Sequence, residues 1–358
     1  MKTLNSRRNA ASIRVSLLGL IALAMIAGTC AAAACKSTPN VEGQQASAPV
    51  QPTWQPNAAE LDPPATAAPA PKVDGKRAFQ FTGDFVAIGP RHLGSAGHKK
   101  AEDFITSHLK ATGAAVDYDQ FEAMTAAGKF PVTNIIGKIQ GKKDGIIVIA
   151  GHYETNLPTS DDLKSATAAG KPFVGANDGG STTGLMVELA TILENQKGSA
   201  AALEGYSVWF VFTDAEEATV HWSDADSVYG TKHLAQKWQQ DGTSRKVKAL
   251  LLLDMIGDKD LDVQREENST PWLEDVIYRS AQRLGTQSHF FATSMAVEDD
   301  HKPFAKIGIP VADIIDLDYG FNNVYHHTSE DTMDKLSPQS LQIVGDVVLE
   351  SIRAINTH

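Results

Sequence analysis

Four short apolar runs constrain this chain more than anything else in it: "GIIVIAGH" ending at His152, "YSVWFVFT" at Thr213, "VKALLLLD" at Asp254 and "IPVADIID" at Asp316. Each is short and nearly continuous in its apolar character, as in strands buried on both faces. Between and around them lie stretches of helical period. "HKKAEDFITSHLKATG" reads as a helix ending at Gly113, and "STTGLMVELATILENQ", "VYGTKHLAQKWQQDG", "TPWLEDVIYRSAQRLG" and "SPQSLQIVGDVVLESIRAI" read as helices too; "VTNIIGKI" reads as a further strand. This alternation implies an α/β domain with a largely parallel sheet. Asp178 or Ser181 is the expected cap of the helix that follows it. No internal repeat is visible.

The first 35 residues read as an export signal: Arg7, Arg8 and Arg14 precede the apolar "VSLLGLIALAMIAG", and small residues follow. The apolar run is too short for a membrane span, and the residues around Arg7–Arg8 match a twin-arginine signal poorly. Cys30 and Cys35 are the only cysteines and both lie here, so the body has neither a disulfide nor a cysteine nucleophile. "AAAC" has two readings, a lipoprotein box that would acylate Cys35 or ordinary cleavage after the alanines. Either makes this a bacterial exported protein, periplasmic, anchored to the envelope or secreted. Residues 36–75 are rich in Pro, Ala and Gln and read as a disordered tether. Residues 76–358 then form a single catalytic domain, expected to be a monomer, with a polar insertion at 155–171. A net charge of -11 without a Lys/Arg-rich block in the body argues against a nucleic-acid partner.

Chemistry collects where strands end, the place where open α/β sheets bind ligands. His152 ends one run, "DAEEATVHW" (Asp214 to Trp222) follows another, and Asp254 ends a third. Asp178 sits in "VGANDGGS", and His326 and His327 in "NNVYHHTSEDT" after the last strand. Taken singly, each has a plainer reading: a helix cap for Asp178, a solvated pair for Glu216–Glu217, a core histidine for His152, a strand end for Asp254, a surface histidine for His327. Taken together they form an oxygen/nitrogen donor set suited to zinc, and such crowded acids need a cation or shared protons. HExxH, a CxxC pair, G-x-S-x-G and a Walker loop are all absent.

In order, "GHYE", "GANDGGSTTGLMVELA", "FTDAEE", "LLLDMIG", "DDHKPF" and "YHHTSEDT" resemble the zinc-dependent exopeptidases, and within them the secreted glutaminyl cyclases. "DAEEATVHWSDADSVYGTKHLA", "ALLLLDMIGDKD" and "VEDDHKPFAKIGIPV" are similar to cyclase segments, and "GPRHLGSAGHKKAEDFI" to the family's first helix region. The likeness runs from about Phe81 to Ile355. His221–Trp222 and the doubled Asp299–Asp300 resemble cyclases more than aminopeptidases.

The resemblance implies a three-layer sandwich with a mixed, mostly parallel central sheet flanked by helices. It implies one Zn2+ held by Asp178, Glu217 and His327, with Glu216 as general acid/base. Asp254 and Asp299 would form a hydrogen-bonded acidic pair, and Trp222, Tyr325 and His326 would contact substrate. The substrate would be the N-terminal glutamine of a peptide or protein, closed to pyroglutamate with loss of ammonia. A zinc aminopeptidase is the alternative, in which His152 and Asp254 hold a second metal; a non-catalytic envelope module is a third reading. The chain departs from the family pattern at Glu154, where aspartate is usual, at His326, where cyclases carry tryptophan, and at Gly151, a cysteine in some animal cyclases.

Overall fold

The computed structural model describes residues 54–163, 171–196 and 205–357. The export signal, Cys35, the tether up to residue 53 and residues 164–170 of the insertion lie outside the described residues.

The four apolar runs are β3 (Lys143–His152), β4 (Tyr206–Thr213), β5 (Val247–Asp254) and β8 (Val311–Ile315), side by side and parallel in the order β4-β3-β5-β8. The sheet is mixed because β2 (Gly128–Ile139) joins β4 antiparallel and β1 (Ala115–Thr125) closes the edge antiparallel to β2. Side chains alternate across these strands. Ile147, Ile149, Leu251 and Leu253 therefore pack into one core, and Val148, Ala150, Leu250 and Leu252 into another. The first core is covered by α1 (Gly75–Val86), α2 (Ala96–Thr112), α3 (Thr182–Asn195), α5 (Pro271–Leu284) and α7 (Pro338–Asn356). The second is covered by α4 (Tyr229–Asp241) and α6 (His301–Lys306), through Leu234, Trp238 and Phe304. This is the three-layer sandwich expected. A separate short parallel pair, β6 (Val263–Glu266) and β7 (Phe290–Met295), and the helix α1 were not legible in the sequence.

Two local expectations are corrected. Neither Asp178 nor Ser181 caps α3 through its side chain: residues 176–181 form a wide turn, and the Ser181 hydroxyl donates back to the Asn177 carbonyl at 2.6 Å. The other concerns residues 54–75, which composition assigns to a tether. They are docked on the domain. Trp54 meets Trp272 edge-on at 5.2 Å, Ala58, Leu61 and Val73 are buried, and Asp62 takes hydrogen bonds from Arg279 and Arg283. Asp74 then caps α1, accepting from the amides of Lys76 and Arg77 at 3.1 Å. Proline- and alanine-rich composition hid this because so few apolar residues make the contacts.

Leu61→Ala tests the docking. Leu61 is 2 % exposed, so the substitution should lower the unfolding free energy by about 2–4 kcal/mol in urea titrations. An unchanged midpoint would mean that this segment carries no packing.

Candidate metal centre and active site

The carboxyl ends of the parallel strands gather the polar side chains. Past β4 the chain turns at Ala215, whose φ of 56° is left-handed and strained for a residue with a Cβ. The turn is held from three sides. The carbonyls of Asp214, Ala215 and Glu216 accept from the amides of Gly230, Tyr229 and Val228, the entry to α4. The Asp214 amide donates to Asn134 Oδ1 at 3.0 Å, and the amides of Glu216 and Glu217 donate to Glu154 Oε1 at 2.6 and 3.1 Å. Glu216 and Glu217 are thereby fixed side by side and buried.

Asp178 comes to them from the turn before α3. Asp331 accepts the amides of Asn177 and Asp178 at 2.8 and 3.2 Å and the Tyr319 hydroxyl at 2.8 Å. Arg91, wholly buried, donates to the carbonyls of Tyr153, Val174 and Gly175 at 3.0, 2.7 and 2.9 Å, tying the end of β3 to the segment before Asp178. Gly151 permits the close approach of β3 to α3, since a Cβ there would stand 2.1 Å from Thr182 Cγ2. That explains why no cysteine occupies this position.

His327 Nε2 lies 3.3 Å from Asp178 Oδ2 and 3.6 Å from Glu217 Oε2. His152 Nε2 lies 3.1 Å from Asp178 Oδ1 and 3.3 Å from Asp254 Oδ1. Asp178 Oδ2, Glu217 Oε1 and Asp254 Oδ1 are buried without a hydrogen-bond partner. Orphaned carboxylate oxygens beside imidazole nitrogens fit a divalent cation, and the mixed oxygen/nitrogen set suits zinc. His326 also brings a ring nitrogen within 4.8 Å of donor atoms of Asp178 and His327, but only His327 makes the paired approach to Asp178 and Glu217.

Asp178, Glu216, Glu217, Trp222, Asp254, Asp299, His326 and His327 all line one cavity of about 400 Å³. His152 lies beneath it, and Tyr325 is outside, edge-on to Tyr319 at 5.3 Å. Of the pair His221–Trp222 only Trp222 forms wall; the His221 side chain is exposed. The loop carrying them is organised by Asp226, which takes the amides of Thr219, Val220 and His221 and the Thr219 hydroxyl. The two aspartates of the doublet face apart. Asp299 lines the cavity, while Asp300 accepts hydroxyl hydrogen bonds from Thr213 and Thr231, pinning the loop to β4 and α4. Sequence reasoning missed Asp162, Ala296, Val297, Ile315 and Leu317 as wall residues, and Arg91, Asp226 and Asp331 as scaffold.

Charge is unevenly held here. Burial, reinforced by the charge of Glu217, pushes the Glu216 carboxyl well above its ordinary range. Burial and then the charge of Asp313 do the same for Asp299, and burial raises Asp254. Asp178 goes the other way: His152 and His327 outweigh its burial and hold it well below.

Residues 134–352 match Peptidase family M28. The chain is 30% identical over 279 residues to the Bos taurus glutaminyl-peptide cyclotransferase-like protein, covering 72% of this chain and 70% of that one. It is 50% identical to the Acidobacteriales bacterium glutaminyl cyclase, whose crystal structure superposes with a TM-score of 0.75 over 82% of this chain and 98% of that one. A leucine aminopeptidase precursor from Bacteroides thetaiotaomicron, 23% identical, shares the fold with a TM-score of 0.69 over 79% and 98%. The chain belongs to peptidase family M28 and, within it, to the glutaminyl-peptide cyclotransferases. The family and fold expected from the sequence are those found, and the family is zinc-dependent.

Behind the Asp299 wall, His301 Nε2 lies 3.2 Å from Glu266 Oε2 and its Nδ1 3.4 Å from Asp313 Oδ2, all wholly buried or nearly so. Burial works against the imidazolium, but Asp313 and Glu266 outweigh it and hold His301 at about 9. Against its own burial, His301 holds Glu266 at about 2. The raised His301 contributes stability in full below 6.5 and loses it as pH climbs through about 9; the depressed Glu266 contributes in full above 4.5 and loses it as pH falls through about 2. The stability lost in His301→Gln should thus be on the order of 3 kcal/mol near pH 6 and shrink towards pH 10. Urea titrations across that range check it, and a pH-independent difference would show that His301 is uncharged.

Proposed function

We propose that this chain converts the N-terminal glutamine of peptides and proteins to pyroglutamate, releasing ammonia. The observation that carries the reading is the placement of Glu216. It is a buried carboxyl on the wall of the same cavity as Trp222, beside a donor set of Asp178, Glu217 and His327. Those three residues would hold zinc, which when bound supplies Lewis-acid polarisation of the side-chain amide. Glu216 takes the proton of the attacking α-amine and returns one to the departing ammonia. The new bond joins the α-nitrogen to the side-chain amide carbon, and the bond from that carbon to its amide nitrogen breaks. No water is consumed. An N-terminal asparagine would have to close a four-membered ring and should fail. Trp222 flanks the glutamine side chain, and His326 supplies part of the opposite wall. A proton shared between Asp254 and Asp299, both raised by burial, lets them stand together beside Glu216.

Aminopeptidase activity is the second reading, favoured by one observation: His152 Nε2 sits within 3.3 Å of both Asp178 and Asp254, where a second metal would bind. Metal content and product separate the two. Cyclase chemistry predicts one zinc per chain and ammonia with pyroglutamate from Gln-leading peptides. Two tightly bound zincs, with free amino acid from Leu-leading peptides, would establish the peptidase instead.

We also infer that residues 1–35 direct export, with Cys35 acylated or the chain simply cleaved after the alanines, and that the domain acts as a monomer on chain termini outside the cytoplasm. No helix among the described residues is long and apolar enough to cross a membrane.

Glu216→Gln is expected to keep its zinc and lose about 10²–10⁴-fold in kcat. Zinc content measured with the steady-state rate tests this, and undiminished turnover would remove Glu216 from proton transfer.

A further inference from the structure

Glu154 stands behind the glutamate pair, and its side chain has a definite use there. The residue follows β3 and is wholly buried. Its Oε2 is 3.9 Å from His152 Nδ1, too far for a hydrogen bond, and both atoms are without hydrogen-bond partners. Its Oε1, in contrast, accepts two successive amides, Glu216 at 2.6 Å and Glu217 at 3.1 Å. So the side chain does not orient the histidine. It secures the strained turn after Ala215, whose carbonyls are already taken by the entry to α4.

We propose that Glu154 is a positioning residue for the glutamate pair: one carboxylate oxygen fixes two consecutive peptide planes, and with them the directions in which Glu217 and Glu216 project. The inference rests on the reading that Glu217 holds zinc and Glu216 moves protons. What the two amides need is an acceptor at this reach, whatever its charge. Glutamine supplies one. Methionine, of similar length and volume, leaves two buried N–H groups without a partner, which the turn relieves only by rotating both glutamates away.

The test is zinc affinity by chelator competition on the full chain and on Glu154→Gln and Glu154→Met, followed by kcat and KM on a Gln-leading peptide at saturating zinc. Glu154→Gln should stay within about threefold of the parent in Kd for zinc, and Glu154→Met should bind about 10–100-fold more weakly. Zinc-saturated Glu154→Met should lose kcat with KM little changed, because Glu216 is misaimed while the cavity persists. Parent-like zinc binding by Glu154→Met overturns the proposal, as does an equal loss in both variants, which would make the charge the relevant property. If thermal melting shows Glu154→Met unfolded, Glu154→Gln decides alone: parent-like affinity supports the role and a loss refutes it. A parent chain that binds no zinc defeats the underlying assignment of Glu217 instead, a separate outcome.

Discussion

A carboxylate withdrawn from water needs a positive partner, a dense set of donors or a proton, and this domain brings many of them to one end of its sheet. Each answer is used in a different place. Asp178 is held ionised by two histidines and Asp226 by a ring of donors, whereas burial pushes Asp331 up to about 7 despite the amides and hydroxyl it accepts. Burial pushes Glu216 and Asp299 well above the ordinary carboxyl range. Arg91 adds a buried cation behind the site, depressed only to about 10 by its burial. The remaining orphaned oxygens of Asp178, Glu217 and Asp254 are what a bound metal would satisfy. The strained residues Ala215, Met255 and His327 stand at these same places, so part of the stability of the sheet goes into holding groups that would otherwise move apart.

Adjacent pairs divide their tasks. Glu216 and Glu217 leave one turn for the same cavity, where Glu217 lies 3.6 Å from His327 Nε2. Asp299 looks into the cavity while Asp300 looks back at Thr213 and Thr231. The Asp299–Asp300 doublet thus couples a cavity-lining carboxyl to its own anchor, and a shift in one is felt by the other.

The buried parallel strands were legible because both their faces are apolar, and the site residues that end them were legible with them. β1 escaped notice because it is an edge strand, exposed at alternate positions and rich in Asp, Glu and Gln. α1 was obscured by the proline-rich composition just before it. Asp162, Ala296 and Val297 come from loops, where wall residues follow no period. Tyr325, which the resemblance sets against substrate, is not among the cavity-lining residues. Asn322 and Asn323, both left-handed, turn the chain just before it, and its ring goes to Tyr319. The expected side-chain caps of α3 failed because Asp178 is drawn to the histidines and the Ser181 hydroxyl to the Asn177 carbonyl.

The body carries no cysteine, and at Gly151 the packing leaves no room for one. Nothing in the domain can therefore be reduced, reshuffled or captured as a mixed disulfide, and no thiol competes with the carboxylates and imidazoles for a soft metal. Its folding requires no oxidant, and its site is indifferent to whether the medium around it is oxidising or reducing.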